Sequence, residues 1–248
     1  MRAVVAVWVL VMASSVPARA GEVTSAVAAN FLPAFRSIAS GFEHATGHRV
    51  TTIAGSSGRF YGQIRNGAPF DVFFSADQER PRRLEGEGFA VKGSRFTYAI
   101  GRLVLWSPDP ELVRGEATLR TEPFRHLALA NPQVAPYGAA AQQVLTRLGL
   151  WERLRPSIVR GESLGQTMAF ITSGNAELGF VALSQVVDPA QPAGGGGWQI
   201  PLALYDPIAQ DAVLLRQGQA NPAARALLAY VRSADAREVI ERFGYGLE

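Results

Sequence analysis

The chain has 248 residues, 48% hydrophobic and 18% charged, a composition that supports one or two compact units with an ordinary core. Its 24 basic and 21 acidic side chains leave a net charge of +3, Lys92 is the only lysine, and no basic run of the nucleic-acid-tail kind occurs. Cysteine is absent, which excludes thiol catalysis, disulfide staples and cysteine-ligated zinc or iron–sulfur centres.

Residues 1–20 carry Arg2, an apolar stretch from Ala3 to Ala13, and the small-x-small site Ala18-Arg19-Ala20 before Gly21. That order predicts a cleaved secretory signal peptide. The apolar run is too short to stay in a membrane as a spanning helix. Loss of Arg2 and Arg19 leaves 22 basic against 21 acidic side chains, a net charge of +1. With no cysteine for lipid attachment, the product is expected to be free in the periplasm of a two-membrane host.

Val23 to Ala28 predicts the opening strand. Pro33 suits an early helical position, and Phe35, Ile38, Ala39 and Phe42 then fall on one helical face that Gly47 ends. Val50 to Ala54 reads as a second strand, Gly55-Ser56-Ser57-Gly58 as a tight turn, and Phe60 and Ile64 as the face of a helix stopped by Gly67. Asp71 to Ser75 is a third, buried strand. Strand–helix–strand–helix–strand predicts a mainly parallel sheet covered by helices, with ligands bound beyond the carboxyl ends of its strands.

Tyr98 to Trp106 is a long extended run that suits a crossing from one lobe to another. A second α/β pattern follows. His126–Ala130, Ser157–Arg160 and Leu178–Leu183 read as strands, and helices carry Ala141, Val144, Leu145 and Leu148, then Leu164, Met168 and Ile171. Asp188 to Gly197, rich in Pro and Gly, reads as a mobile surface loop. Tyr205 to Leu215 is a second long run, returning to the first lobe. Asn221-Pro222 caps a helix with Leu227, Leu228 and Val231, and a last helix carries Val239, Ile240 and Phe243. The expected plan is residues 21–100 and 207–248 in one lobe and 101–206 in the other, with a cleft between them.

Four polar turns stand at predicted helix starts: Ala28-Ala29-Asn30-Phe31, Gly55-Ser56-Ser57-Gly58, Ala135-Pro136-Tyr137-Gly138 and Gly161-Glu162-Ser163-Leu164-Gly165. Helix starts leave N–H groups unpaired in a partial positive field, and converging starts make an anion site without a formal cation. Plain capping explains any one of them; a pair in each lobe points further. Gly161 to Gly165 also fits G-x-S-x-G, but His44, His48 and His126 all precede Ser163, the wrong order for an α/β-hydrolase. A metal on His44 and His48 needs one continuous helix, which Gly47 interrupts. Tyr61, Tyr98, Tyr137 and Tyr205 admit a ferric-ion reading that lacks a supporting carboxylate or histidine. No Gly-Lys-Ser/Thr marks a P-loop. Arg59 and Arg160 flank two of the turns, as anion contacts or as solvated side chains.

The run Gly67-Ala68-Pro69-Phe70-Asp71-Val72-Phe73-Phe74-Ser75-Ala76-Asp77, together with the turns at Asn30, Ser57 and Tyr137 and with Leu178-Gly179-Phe180-Val181-Ala182, resembles the periplasmic molybdate-binding proteins over nearly the whole mature chain. The resemblance implies the type II periplasmic-binding-protein fold: two α/β lobes, each a mainly parallel sheet flanked by helices, hinged by crossover strands. It implies a non-enzymatic carrier of molybdate or tungstate with no cofactor, serving an ABC permease and its ATPase, without nucleic acid or membrane insertion; a monomer is expected because no extended apolar helix face is left over. The oxyanion contacts would fall on Asn30 with Ala29 beside it, on Ser57 next to Ser56, on Tyr137, and on the backbone around Leu164 next to Ser163. One departure is Ala182, where many members have tyrosine; a phenol from Tyr137 is expected to replace it, a swap found in one subgroup. Carriers of sulfate, thiosulfate or phosphate, and a periplasmic enzyme, are the alternatives.

Overall fold

The computed structural model describes residues 20–121, 124–187 and 193–247. The expected signal segment therefore lies outside the described residues apart from Ala20, as does the 188–192 part of the Pro/Gly-rich loop.

In chain order the elements are β1 (Glu22–Ala28), α1 (Leu32–Thr46), β2 (Arg49–Gly55), α2 (Ser57–Arg65), β3 (Val72–Phe74), α3 (Glu79–Gly86), β4 (Phe96–Gly101), β5 (Leu103–Ser107), α4 (Glu116–Thr121), β6 (Leu127–Ala130), α5 (Pro136–Arg147), α6 (Trp151–Leu154), β7 (Ile158–Gly161), α7 (Leu164–Thr172), β8 (Leu178–Ala182), β9 (Gly196–Gln199), β10 (Ile208–Leu214), α8 (Pro222–Val231) and α9 (Ala234–Arg242). The strands form two five-stranded sheets, ordered β2-β1-β3-β10-β4 and β7-β6-β8-β5-β9. Each sheet has a parallel trio with β1 or β6 in its middle. In each sheet the fourth strand runs antiparallel to its neighbours: β10 in the first, β5 in the second. Those two strands are the ones delivered by the crossings between sheets, so both lobes use one plan and exchange their fourth strand's connection.

Local sequence explains the elements. β1 and β3 lie inside the sheet with helices on both faces, so their side chains are buried almost continuously rather than alternately. Phe35, Ile38, Ala39 and Phe42 of α1 enter the core, with Ala34. Gly47 ends the helix at φ 73°, its N–H closing on the Glu43 carbonyl. Asn221 caps α8 by accepting from the Ala223 N–H at 3.1 Å, ahead of Pro222. In the first lobe one core lies under α1, α8 and α9 and another under α2 and α3. A third apolar cluster crosses the cleft, joining Ala28 and Ala76 of the first lobe to Tyr137 and Leu164 of the second.

The structure corrects several expectations. Tyr98–Trp106 crosses between the lobes as expected, but as two strands rather than one run: β4 and β5 lie in different sheets, with Arg102 between them. Gly55 to Gly58 is not a separate turn, because β2 runs to Gly55 and α2 starts at Ser57. Gly196 and Gly197, expected in a mobile loop, open strand β9, which pairs with β5; a Cβ on Gly196 would come within 2.5 Å of the Pro110 carbonyl oxygen. The return run joins the first sheet as expected, but its strand, β10, covers only Ile208–Leu214 of Tyr205–Leu215. Helices α3, α4 and α6 had no counterpart in the sequence reading.

Candidate anion site

Parallel strands point their carboxyl ends toward the cleft, and the chain leaves each through a short loop into a helix. Asn30 lies between β1 and α1, and Ser57 is the first residue of α2 with Ser56 as its N-cap. Tyr137 is the second residue of α5, and Leu164 is the first of α7 with Ser163 as its N-cap. First-turn N–H groups have no intrahelical acceptor. Two starts from each lobe thus aim polar backbone at one point.

They close on a cavity of about 10 Å³, about the room that one water molecule needs. Ala29, Asn30, Ser56, Ser57, Tyr137 and Leu164 line it, together with Ala28, Gly55, Ala76, Ala135 and Pro136. Asn30, Ser57 and Tyr137 are each 1% exposed. Ser163 is not in the lining; its hydroxyl caps α7, accepting from the Gln166 N–H at 3.3 Å. Among the described residues, no Asp, Glu, Lys, Arg or His lines the cavity. A wider cavity of about 400 Å³ adjoins it, where Asp77, Glu79 and Asp206 outnumber Arg80, itself paired with Asp77, which makes it a poor host for an anion.

Side-chain hydrogen bonds orient the walls. Ser57 Oγ accepts from the Ala76 N–H at 2.9 Å, which leaves the hydroxyl proton for another acceptor. Asn30 Nδ2 donates to Gln210 Oε1 at 2.8 Å and to the Tyr245 hydroxyl at 3.1 Å, so both amide protons turn inward. The Asn30 carbonyl accepts from Ser184 Oγ and from Tyr245, each at 2.8 Å. What Asn30 offers the cavity is therefore not its amide N–H groups. The Tyr137 hydroxyl accepts from Gln210 Nε2 at 3.1 Å. The same hydroxyl would lie 2.2 Å from a Cβ at residue 101, so Gly101 is what makes room for it at the crossover. Ala182, the departure from the family pattern, is fully buried and outside the lining.

Burial pushes the phenols of Tyr98, Tyr137 and Tyr245 well above the ordinary tyrosine range, and all three stay neutral. Tyr61 lies elsewhere, bonded to Glu87 at 2.7 Å, and Tyr205 accepts from the Leu103 N–H at 3.2 Å. His48 Nδ1 accepts from the Gly21 N–H at 2.9 Å beyond the end of α1, and no metal-ligating cluster exists among the described residues.

The lobes touch around the cavity. The Gly58 N–H donates to the Val134 carbonyl at 2.9 Å, and a Cβ on Gly58 would come within 2.8 Å of the Val134 Cα. Arg59 pairs with Glu162 at 3.0 Å across the cleft, and Arg80 donates to the Gln133 carbonyl at 3.2 Å. Arg59 is thus a lip residue rather than a cavity residue, and Arg160 is exposed. The residues that sequence reasoning missed are those behind the wall: Gln210, Tyr245 and Ser184. Gln210 had a signal, since Gln210-Asp211 interrupts an otherwise apolar strand and fully buried polar residues require partners.

Comparison with known proteins agrees along the chain. Residues 23–246 match the family described as bacterial extracellular solute-binding protein. The chain is 54% identical over 232 residues to a molybdate-binding protein ModA of Azotobacter vinelandii, covering 93% of this chain and 92% of that protein. It is 48% identical to the molybdate-binding protein ModA of Rhodobacter capsulatus, covering 96% and 94%. Among solved structures, the periplasmic molybdate-binding protein of Azotobacter vinelandii superposes with a TM-score of 0.88 at 44% identity, covering 91% of this chain and 99% of that one.

Proposed function

The chain belongs to the bacterial extracellular solute-binding proteins, and from that premise we propose that it captures molybdate or tungstate in the periplasm and delivers the anion to an ABC permease. The observation that carries the reading is the buried cavity lined from both lobes by helix starts and neutral side chains alone. Backbone N–H groups in a dry cleft hold a dianion through fixed dipoles, without a counter-charge whose desolvation would have to be overcome. The high identity to two molybdate-binding proteins supports the ligand class.

In this reading Ser57 donates through its hydroxyl and backbone, Asn30 and Leu164 donate through backbone N–H groups, Tyr137 donates through the phenol that replaces the one missing at Ala182, and Ala29, Ser56 and Ser163 shape the turns that present them. The lobes are residues 21–100 with 207–248, and 101–206; Arg102 and the 200–207 segment act as the hinge. Residues 1–20 direct export. Closure around the anion creates the surface that the permease recognises. Charge does not separate molybdate from sulfate, both being dianions, so selectivity rests on cavity size and donor spacing. Molybdate and tungstate are nearly the same size and are discriminated poorly.

The test is calorimetric titration of ligand-free protein with molybdate, tungstate, sulfate, thiosulfate and phosphate. Tight binding of the first two and weak binding of the rest is expected. A protein that ignores molybdate and tungstate while holding sulfate or phosphate refutes the ligand assignment.

A further inference from the structure

We propose that Gln210 is the positioning residue of the anion site, one buried amide that sets Asn30 in the first lobe against Tyr137 in the second. This deepens the molybdate reading and rests on it.

Gln210 is fully buried on β10, directly after the segment that returns from the second lobe. Its Oε1 accepts from Asn30 Nδ2 at 2.8 Å and from the Tyr98 hydroxyl at 3.0 Å, while its Nε2 donates to the Tyr137 hydroxyl at 3.1 Å. One side chain therefore joins a wall residue of each lobe, and Tyr98 ties it to β4 beside the other crossing. The polarity of the amide is fixed by its partners. Asn30 Nδ2 can only donate, so it must meet the oxygen, and the nitrogen then faces Tyr137. Between Gln210 and Asp211 the pairing of β10 with β4 slips, passing over Tyr98. Such irregularities re-aim side chains, and here consecutive polar residues serve different partners: Gln210 takes the site, while Asp211 takes Arg95 and Thr97. Gly101 completes the arrangement, because a Cβ there would lie 2.6 Å from Gln210 Nε2.

A glutamine satisfies this geometry and a carboxylate does not. An ionised glutamate in its place accepts but cannot donate to Tyr137, and it puts a negative charge behind a dianion site. The protonated acid restores one donor and one acceptor in nearly the same shape. The titratable groups facing this position are Tyr98 on β4, Tyr137 on α5 and Tyr245 near the chain end, all held neutral by burial. Asp211 is paired with Arg95 and Asp77 with Arg80. Burial raises a carboxyl group's pKa, so the side chain introduced by Gln210→Glu is neutral at low pH and loses its proton as pH rises.

The experiment measures molybdate affinity of the wild type, Gln210→Glu and Gln210→Met from pH 6 to 9, with the melting temperature of each ligand-free protein. Wild-type affinity is expected to be flat. Gln210→Met is expected to bind more weakly at every pH, with the same flat profile. Gln210→Glu is expected to approach the wild type at pH 6 and to lose affinity above its own pKa by up to about tenfold per pH unit. Should Gln210→Glu fold poorly, the Met variant paired with Tyr137→Phe decides: losses that do not add support the coupling, and additive losses refute it. A wild type that binds molybdate beside a Gln210→Glu variant with unchanged, flat affinity overturns the Gln210 assignment alone. A wild type that does not bind overturns the molybdate reading and this inference with it.

Discussion

At the scale of single residues, the lining divides into groups that face the cavity and groups that hold their neighbours. Ser57 does both: its hydroxyl accepts the Ala76 N–H and keeps a proton to donate. Ser57→Ala is expected to weaken molybdate binding by about 1–3 kcal/mol in calorimetry. It should also lower the stability of the ligand-free protein, because a buried N–H loses its acceptor. Asn30 differs, since both of its amide protons are bonded to Gln210 and Tyr245. Asn30→Asp keeps the shape but removes those donors and brings a carboxylate to the rim of an anion site. Its affinity is expected to fall below that of Asn30→Ala at pH 8, where the aspartate is ionised. An Asn30→Asp variant that binds as the wild type does while Asn30→Ala binds more weakly would show that Asn30 acts through packing alone. The sequence marked Asn30, Ser57 and Tyr137 because Asn, Ser and Pro-Tyr at helix starts carry a local signature. It did not show which way each side chain points, since that is fixed by Gln210, Tyr245 and Ser184, from 154 to 215 residues away from Asn30 in the chain.

Elements place these residues by close approach, and glycine marks where they are closest. Gly101 ends β4 where the chain leaves the first lobe, against Tyr137 and Gln210. Gly101→Ala forces one of them, or the strand, to move, at an expected cost of about 1–3 kcal/mol in stability and a fall in molybdate affinity. Gly62 in the middle of α2 has nothing within 4 Å of where a Cβ would stand. Gly62→Ala is therefore expected to be neutral or to stabilise by up to about 1 kcal/mol, with binding unchanged; urea unfolding of both variants checks the contrast. The elements that the sequence showed clearly are those with strong periodicity and a hard stop, such as α1 with its four-residue apolar face and Gly47. Those it hid are short or polar. Helix α3 buries only Pro81 and Leu84, and α6 is a single turn, so neither leaves a repeating apolar face to read. The length of Tyr98–Trp106 showed a crossing between lobes, but not its break at Arg102, because each half is as apolar and extended as the other and only tertiary pairing separates them.

For the whole molecule, the matching strand order of the two sheets explains why the site sits where it does. Both parallel trios end at the cleft, and the two antiparallel strands carry the chain past its base. Contacts at the lip are modest. Arg59 and Glu162 are 59% and 45% exposed, and such a pair contributes at most about 1 kcal/mol. Arg59→Ala is accordingly expected to leave the melting temperature of the ligand-free protein nearly unchanged and to raise the molybdate dissociation rate slightly, an effect that fades in high salt. The anion is expected to be the stronger link, because it would add several charge-assisted bonds from both lobes to the two buried neutral ones, Gln210 to Tyr137 and Ser184 to Asn30. Ligand that binds only the folded protein stabilises it by about 2.7 kcal/mol at a free concentration of 100 times Kd. For a chain of this size each kcal/mol moves the melting temperature by about 2–4 °C. Molybdate at that excess should therefore raise it by roughly 5–11 °C in scanning calorimetry, with tungstate close behind. Hydrogen phosphate carries a proton that needs an acceptor, and the lining holds no carboxylate to take it. Phosphate at the same concentration is expected to leave the transition where it was, and a shift comparable to that of molybdate would contradict a site built from neutral donors.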